Sequence, residues 1–366
     1  MIIFSTPANI KKMDARTKKL AEILVHYSVR AQPGEVVLIR GNDLAKPLII
    51  AVYQEVLRAG AHPRLSISFD ELNELFYQKA SKEQINHFPK ISYYEAKNIQ
   101  CLIAIHSPLN LKGLSGVDPK RLMDRAQVLK PINEWIMDKV RWVIVNYPTP
   151  ALAQEAEMSL AEYENFLYKA CLQDWETKKK EMQKIARIFE QADVVHIKGK
   201  DTDLKLRIKG RKFVVASGEF NMPDGEIFTG PIENSLEGKI YFEFPAIHGG
   251  REVVGVRLWF KRGKVVKAQA EKNYSYLKSV LDTDDGARRV GEFGIGMNYK
   301  IKRFSKDILF DEKIGGTVHL ALGRSYSETG GRNKSAIHWD LIKDLRKGGE
   351  LYLDGKLIQR NGKFLI

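Results

Sequence analysis

Hydrophobic and polar positions follow two different rhythms along the chain. Up to about residue 200, helical spacings of apolar residues alternate with short runs that are apolar throughout. An amphipathic stretch near 14–30 leads into GEVVLIRG, a buried-strand pattern. PLIIAVYQEVLRAG predicts a helix that stops at Gly60. HPRLSIS predicts a strand, and a further helix covers about 70–79. CLIAIHS and RWVIVNYP predict two more strands, separated by a helix near 118–137. A long helical region then runs from SLAEYENF to ARIFEQA, opened by Ser159 with Glu162 three residues later, the spacing of a capping box. Repeated strand–helix units predict a doubly wound α/β domain with a mostly parallel sheet.

From about residue 201 the rhythm shortens. DTDLKLRIKGRKFVVASG, GKIYFEFPA, EVVGVRLWFKRGKVVKAQAE and GELYLDGKLIQRNGKFLI read as short strands joined by glycine-rich turns. Helix is expected only near 274–290 and 303–308. The expected organisation is therefore an α/β domain over 1–200 and an α+β domain, rich in antiparallel sheet, over 201–366. There is no glycine-rich dinucleotide fingerprint and no internal repeat.

Composition narrows the function classes. The 366 residues, 44% hydrophobic, suit two domains. The formal net charge is +14. Lys and Arg are nevertheless spread among Asp and Glu, and the densest run, ETKKKEMQK, reads as the solvated face of a helix. With no zinc finger, basic zipper or aromatic RNA-binding signature, no nucleic-acid partner is expected. No apolar run reaches the length of a membrane span. The opening, MIIFSTPANIKKMDARTKK, lacks the apolar core of a secretory signal, and Met13 is a second candidate start. Two scattered cysteines, Cys101 and Cys171, make no disulfide framework, so a cytoplasmic location is expected.

The candidate chemistry gathers in the second half. In NKSAIHWDLI, His338 and Asp340 stand two apart, which on a strand puts them on one face and Trp339 on the other. Glu226 and Glu292 sit beside glycines in PDGEIFTGP and VGEFGIGMN. Glu312 lies in FDEKIGG and His319 in TVHLALG. Carboxylates and imidazoles together suit zinc, cobalt or manganese. A glycine beside a ligand lets the backbone turn tightly. Each residue also has a plainer reading: turn carboxylates at the surface, a satisfied core histidine, a His–Asp hydrogen bond. Their joint occurrence favours the metal.

NMPDGEIFTGPIENSLEGKI, GEFGIGMN, DEKIGGTVHLALGRSYSETGG and NKSAIHWDLI resemble the motifs of the thermophilic aminopeptidase family of the aminopeptidase T type. QPGEVVLIRG, VLRAGAHP and AQEAEMSLAEYENFLYKACLQDW are similar to its amino-terminal half, so the resemblance covers nearly the whole chain. The segment between His319 and His338 is shorter than in many bacterial members. Ser327 stands where the family often has proline. The Glu312–His319 spacing is longer than in some relatives, which makes Glu312 the least conforming ligand.

The resemblance implies a homodimeric metallo-exopeptidase with two divalent ions, zinc, cobalt or manganese, acting on peptides with a free amino terminus. It implies Glu226, Glu292, Glu312, His319, His338 and Asp340 as metal ligands; in a two-ion centre one carboxylate is expected between the ions, and Glu292 is the one chosen here. It implies Tyr326, in RSY, as the active-site tyrosine. No separate general base stands out, and Glu226, as a metal-bound carboxylate, is the candidate to take the proton. The competing expectations are another dinuclear hydrolase, such as a dipeptidase or amidase, or a non-catalytic basic binding protein.

Overall fold

The computed structural model describes residues 13–366; the expectation for the opening stretch lies outside them. Contacts group the chain into two units. One runs to Gln173 and takes in Gly218–Pro223; the other holds Asp174–Ser217 and Asp224–Ile366.

The first unit is built on a parallel sheet of β1 (Val36–Asn42), β2 (His62–Ser68), β3 (Cys101–His106) and β4 (Arg141–Asn146). Their order is β2-β1-β3-β4, and the two-residue segment Asn221–Met222 adds beside β4, also parallel. Val37, Ile39, Cys101, Ile103, Val143 and Val145 are fully buried. This is why these strands read as continuous apolar runs: a parallel sheet is covered on both faces. Over Leu38 and Leu102 pack Ala96, from the Lys90–Asn98 helix, and Ile132 and Ile136, from the Pro119–Lys139 helix. Both cysteines are buried and neither is in a disulfide.

The long helical region expected after Ser159 is two helices, Leu160–Cys171 and Trp175–Glu190. The first opens on the capping box as read. Ser159 Oγ accepts from the Glu162 amide at 3.3 Å, and the Glu162 carboxylate accepts from the Ser159 amide at 2.9 Å. Asp174 caps the second helix by accepting from the Thr177 amide at 3.1 Å. That helix drives Met182, Ala186 and Phe189 into the core of the second unit. Amphipathic spacing reveals a buried stripe but not which sheet the stripe will cover.

The second unit contains two large antiparallel sheets, besides the two-stranded pairing of Ala246–His248 with Arg251–Val253. One has eight strands, centred on Val194–Gly199 and Thr202–Arg207. The other carries the candidate chemistry. Its strands are β5 (Val214–Ala216), β6 (Glu226–Thr229), β7 (Val290–Gly296), β8 (Thr317–Gly323) and β9 (His338–Asp344), in the order β9-β8-β7-β6-β5. The helix expected over 274–290 ends at Leu281. The following polar stretch is a turn organised by Asp284, whose carboxylate accepts from the amides of Ala287 and Ala336. The helix expected near 303–308 forms instead at Ile308–Asp311, with Asp307 as its cap.

Candidate metal centre

The five-stranded sheet sorts its residues by the alternation of a pleated strand. Phe293 and Ile295 of β7, Val318, Leu320 and Leu322 of β8, and Trp339 and Leu341 of β9 are buried in one apolar core. The intervening positions form the opposite face. Register places Gly294 opposite His319, Gly296 opposite Glu226, and Ala321 between Glu292 and Asp340. Residues directly paired across an antiparallel ladder project to the same side. Glu226, Glu292, His319, His338 and Asp340 therefore converge from four strands. Glu312 arrives from the end of the short Ile308–Asp311 helix.

Five of the six form two groups that share His319, and His338 stands beside the second. Donor atoms of Glu226, Glu312 and His319 lie within 4.8 Å of one another, as do those of Glu292, His319 and Asp340. His319 is 0% exposed, and its Nε2 lies 3.0 Å from Glu292 Oε1 and 3.3 Å from Glu226 Oε2. His338 Nε2 lies 3.8 Å from Glu292 Oε2 and 3.7 Å from Asp340 Oδ2. Glu292 thus turns one oxygen to each histidine. His338 Nδ1 is 2.9 Å from the Arg324 carbonyl. If that nitrogen donates to the carbonyl, Nε2 is left as the free lone pair, the arrangement that fixes the tautomer of a ligating imidazole.

Two glycines clear this face. A Cβ on Gly294 would meet His319 Nε2 at 2.0 Å, and a Cβ on Gly296 would meet the Ile314 carbonyl oxygen at 2.2 Å. Neither glycine has a positive φ, whereas Gly225, beside Glu226, has φ 118°. The turn-making role expected of glycine therefore belongs to Gly225. Gly294 leaves room for the imidazole. Gly296 lets the segment that delivers Glu312 and Lys313 lie against the strand. Lys313 was not foreseen from the sequence: its side chain is fully buried and contacts Glu312 Oε1, with Glu226 Oε1 at 3.4 Å. The available signal was a lysine set between the acidic pair Asp311 and Glu312 and the glycine pair Gly315 and Gly316, in DEKIGG.

Burial and crowding set the charges. Burial pushes Glu226 up to about 8 and Asp340 up to about 6, although Lys313 and His338 respectively oppose it. Burial draws His319 down, but the hydrogen bond to Glu292 and the charges of Glu226, Glu292 and Asp340 outweigh it, raising it to about 10. His338 is raised by Asp340 and Glu292 against its own burial. Burial and the charges of Glu292 and Asp340 hold the proton on the Tyr326 hydroxyl. That ring lies over the site, 5.1 Å from the His338 ring and 5.8 Å from Phe228. A protonated phenol there is a hydrogen-bond donor.

The donor set fits a divalent cation. Glu226 Oε2, His319 Nδ1 and Asp340 Oδ1 are buried without a hydrogen bond, a costly condition unless another group completes them. Four carboxylates and two imidazoles are the ligand chemistry of zinc, manganese or cobalt.

Comparison with known proteins agrees. The chain is 27% identical to aminopeptidase 2 of Geobacillus stearothermophilus, over 97% of this chain and 96% of that one. It is 26% identical to aminopeptidase T of Thermus thermophilus, over 95% and 98% of the two chains. The solved structure of wild-type AmpT from Thermus thermophilus superposes with a TM-score of 0.85 at 25% identity, covering 96% of this chain and 99% of that one. A dioxygenase from Pseudomonas putida shares the fold alone, with a TM-score of 0.63 at 14% identity, covering 96% of each chain. The profile of one family, described as thermophilic metalloprotease (M29), matches residues 13–364, and the chain belongs to that family.

Proposed function

We propose that this chain, a metallo-aminopeptidase by family, removes the amino-terminal residue of peptides at a centre of two divalent ions. The observation that carries the reading is the pair of ligand groups meeting at His319. Glu226, Glu312 and His319 would hold one ion, and His338 and Asp340 the other. Glu292, with an oxygen toward each histidine, would lie between them. Bound there, two divalent ions would supply Lewis-acid polarisation of the scissile carbonyl and a water acidic enough to attack it at neutral pH.

The protein's own groups supply the rest. Tyr326, whose ring lies 5.1 Å from that of His338 and which keeps its proton, would donate to the oxyanion that develops on the attacked carbonyl. Glu226, whose carboxyl is drawn toward neutral pH, is the group suited to take up or release a proton during the reaction. The carboxylate cluster would give a free α-amino group its counter-charge, which would confine cleavage to the chain end. The dioxygenase on the same fold is a reminder that function rests on these residues and not on topology.

Two cysteines outside any disulfide and the absence of a membrane-crossing helix among the described residues suit a cytoplasmic enzyme, and the family resemblance supports a homodimer. The test is hydrolysis of a leucyl chromogenic amide. Chelation should abolish it, zinc, cobalt or manganese should restore it, and acetylating the substrate's amino group should abolish it again. Full turnover by protein shown to be metal-free by elemental analysis would refute the reading. Equal turnover of the acetylated substrate would point to a general amidase.

A further inference from the structure

Lys313 is the charged residue of this centre that the ligand set leaves unused. Its ammonium touches Glu312 Oε1 and lies 3.4 Å from Glu226 Oε1, with none of the side chain exposed. Glu226 and Glu312 belong to one ligand group. His319 reaches both groups, but only the first has an ammonium against it: the ion pairs of Glu292 and Asp340 are with the imidazoles of His319 and His338. An imidazole that gives up its proton becomes a ligand. An ammonium has three donors and no lone pair to offer, so it competes for carboxylate oxygen and repels any cation placed beside it.

Resting on the two-ion reading, we propose that Lys313 is a built-in counter-cation of the Glu226–Glu312 position. It makes that position the weaker of the two ion sites and holds its carboxylates together when no ion is bound. The backbone supports this placement. The Lys313 carbonyl accepts from the Asn298 amide at 3.0 Å, and Gly296 leaves the gap in which this segment lies. The side chain therefore enters the site from a fixed anchor. A unit charge a few ångströms from a dication in a buried site has a repulsion well above its value in water. Removing it should tighten the ion by about ten-fold or more.

The experiment titrates chelator-stripped, full-length wild type and Lys313→Met with manganese by calorimetry, and follows thermal midpoints with and without the ion. Wild type should take up two ions in steps of unequal affinity. Lys313→Met should tighten the weaker step by about ten-fold or more and leave the stronger one unchanged. Its ion-free form should melt lower than ion-free wild type, with the loss recovered by manganese. Glu312→Gln, which removes a ligand, should move the weaker step in the opposite direction. Lys313→Gln provides the same comparison if the methionine variant fails to fold. Two equal steps in wild type, or a weaker step that is unchanged or weakened in the Lys313 variants, would overturn the proposal while leaving the two-ion reading intact. No ion uptake by any form would overturn both.

Discussion

Replacing Gly294 with alanine isolates the demand that this site places on its sheet. The added Cβ would lie 2.0 Å from His319 Nε2 and 2.1 Å from Cε1, against an ordinary separation of about 3.5–4.0 Å. The imidazole would have to withdraw by more than an ångström. It has nowhere to go, because His319 is 0% exposed and lies between Glu226 and Glu292. Overpacking of this kind costs about 1–3 kcal/mol, and displacing the ring also breaks the 3.0 Å contact with Glu292. Because His319 belongs to both ligand groups, metal content and kcat/KM should fall together while the fold survives. A double-mutant cycle with His319→Ala gives the magnitude: once the ring is gone the penalty should vanish, leaving a coupling of about 1–3 kcal/mol. Gly116→Ala, where an added Cβ meets nothing within 4 Å, is the neutral control. Additive effects of Gly294→Ala and His319→Ala, or full metal content in Gly294→Ala, would refute the steric account.

Tyr326→Phe should keep both ions and lose roughly 100-fold or more in kcat, since only an oxyanion donor is removed; an unchanged kcat eliminates that role. His338→Ala and Asp340→Ala should each lower bound metal on elemental analysis with little change in fold, whereas Trp339→Ala, on the buried face at 2% exposure, should cost about 3–5 kcal/mol. Metal affinity should weaken as pH falls. Asp340 is raised to about 6 and Glu226 to about 8, so between these values and below them an entering ion must displace protons that an ordinary carboxylate would already have lost. The sign is that raised acids favour the proton-bound, metal-free form at low pH. The expected slope is about ten-fold per pH unit for each proton displaced, and calorimetry in buffers of different ionisation enthalpy counts those protons. A pH-independent affinity between 6 and 8 would contradict it.

What could be read from the sequence divides along the two faces of one sheet. A two-residue period is local, so the placement of His338 and Asp340 opposite Trp339 needed nothing but the spacing, and the register bears it out. The doubly wound pattern was equally local, because buried parallel strands read as apolar runs between helical periods. The unforeseen features all depend on which distant segments lie against each other. Gly294 could be seen as a glycine near a ligand, but its purpose is fixed by pairing with His319, 25 positions away and visible only in the ladder. The helix Trp175–Glu190 shows its stripe without showing its sheet, so its place in the second unit was hidden. Glu312 looked like the least conforming ligand because its distance along the chain was judged, whereas what brings it to Glu226 is a turn lying over Gly296. Lys313 follows from the same turn. In an acidic cluster, the residue that neutralises is as much a part of the centre as those that ligate. Motif reading assigns roles to potential ligands and gives none to the cation that lies against both Glu226 and Glu312.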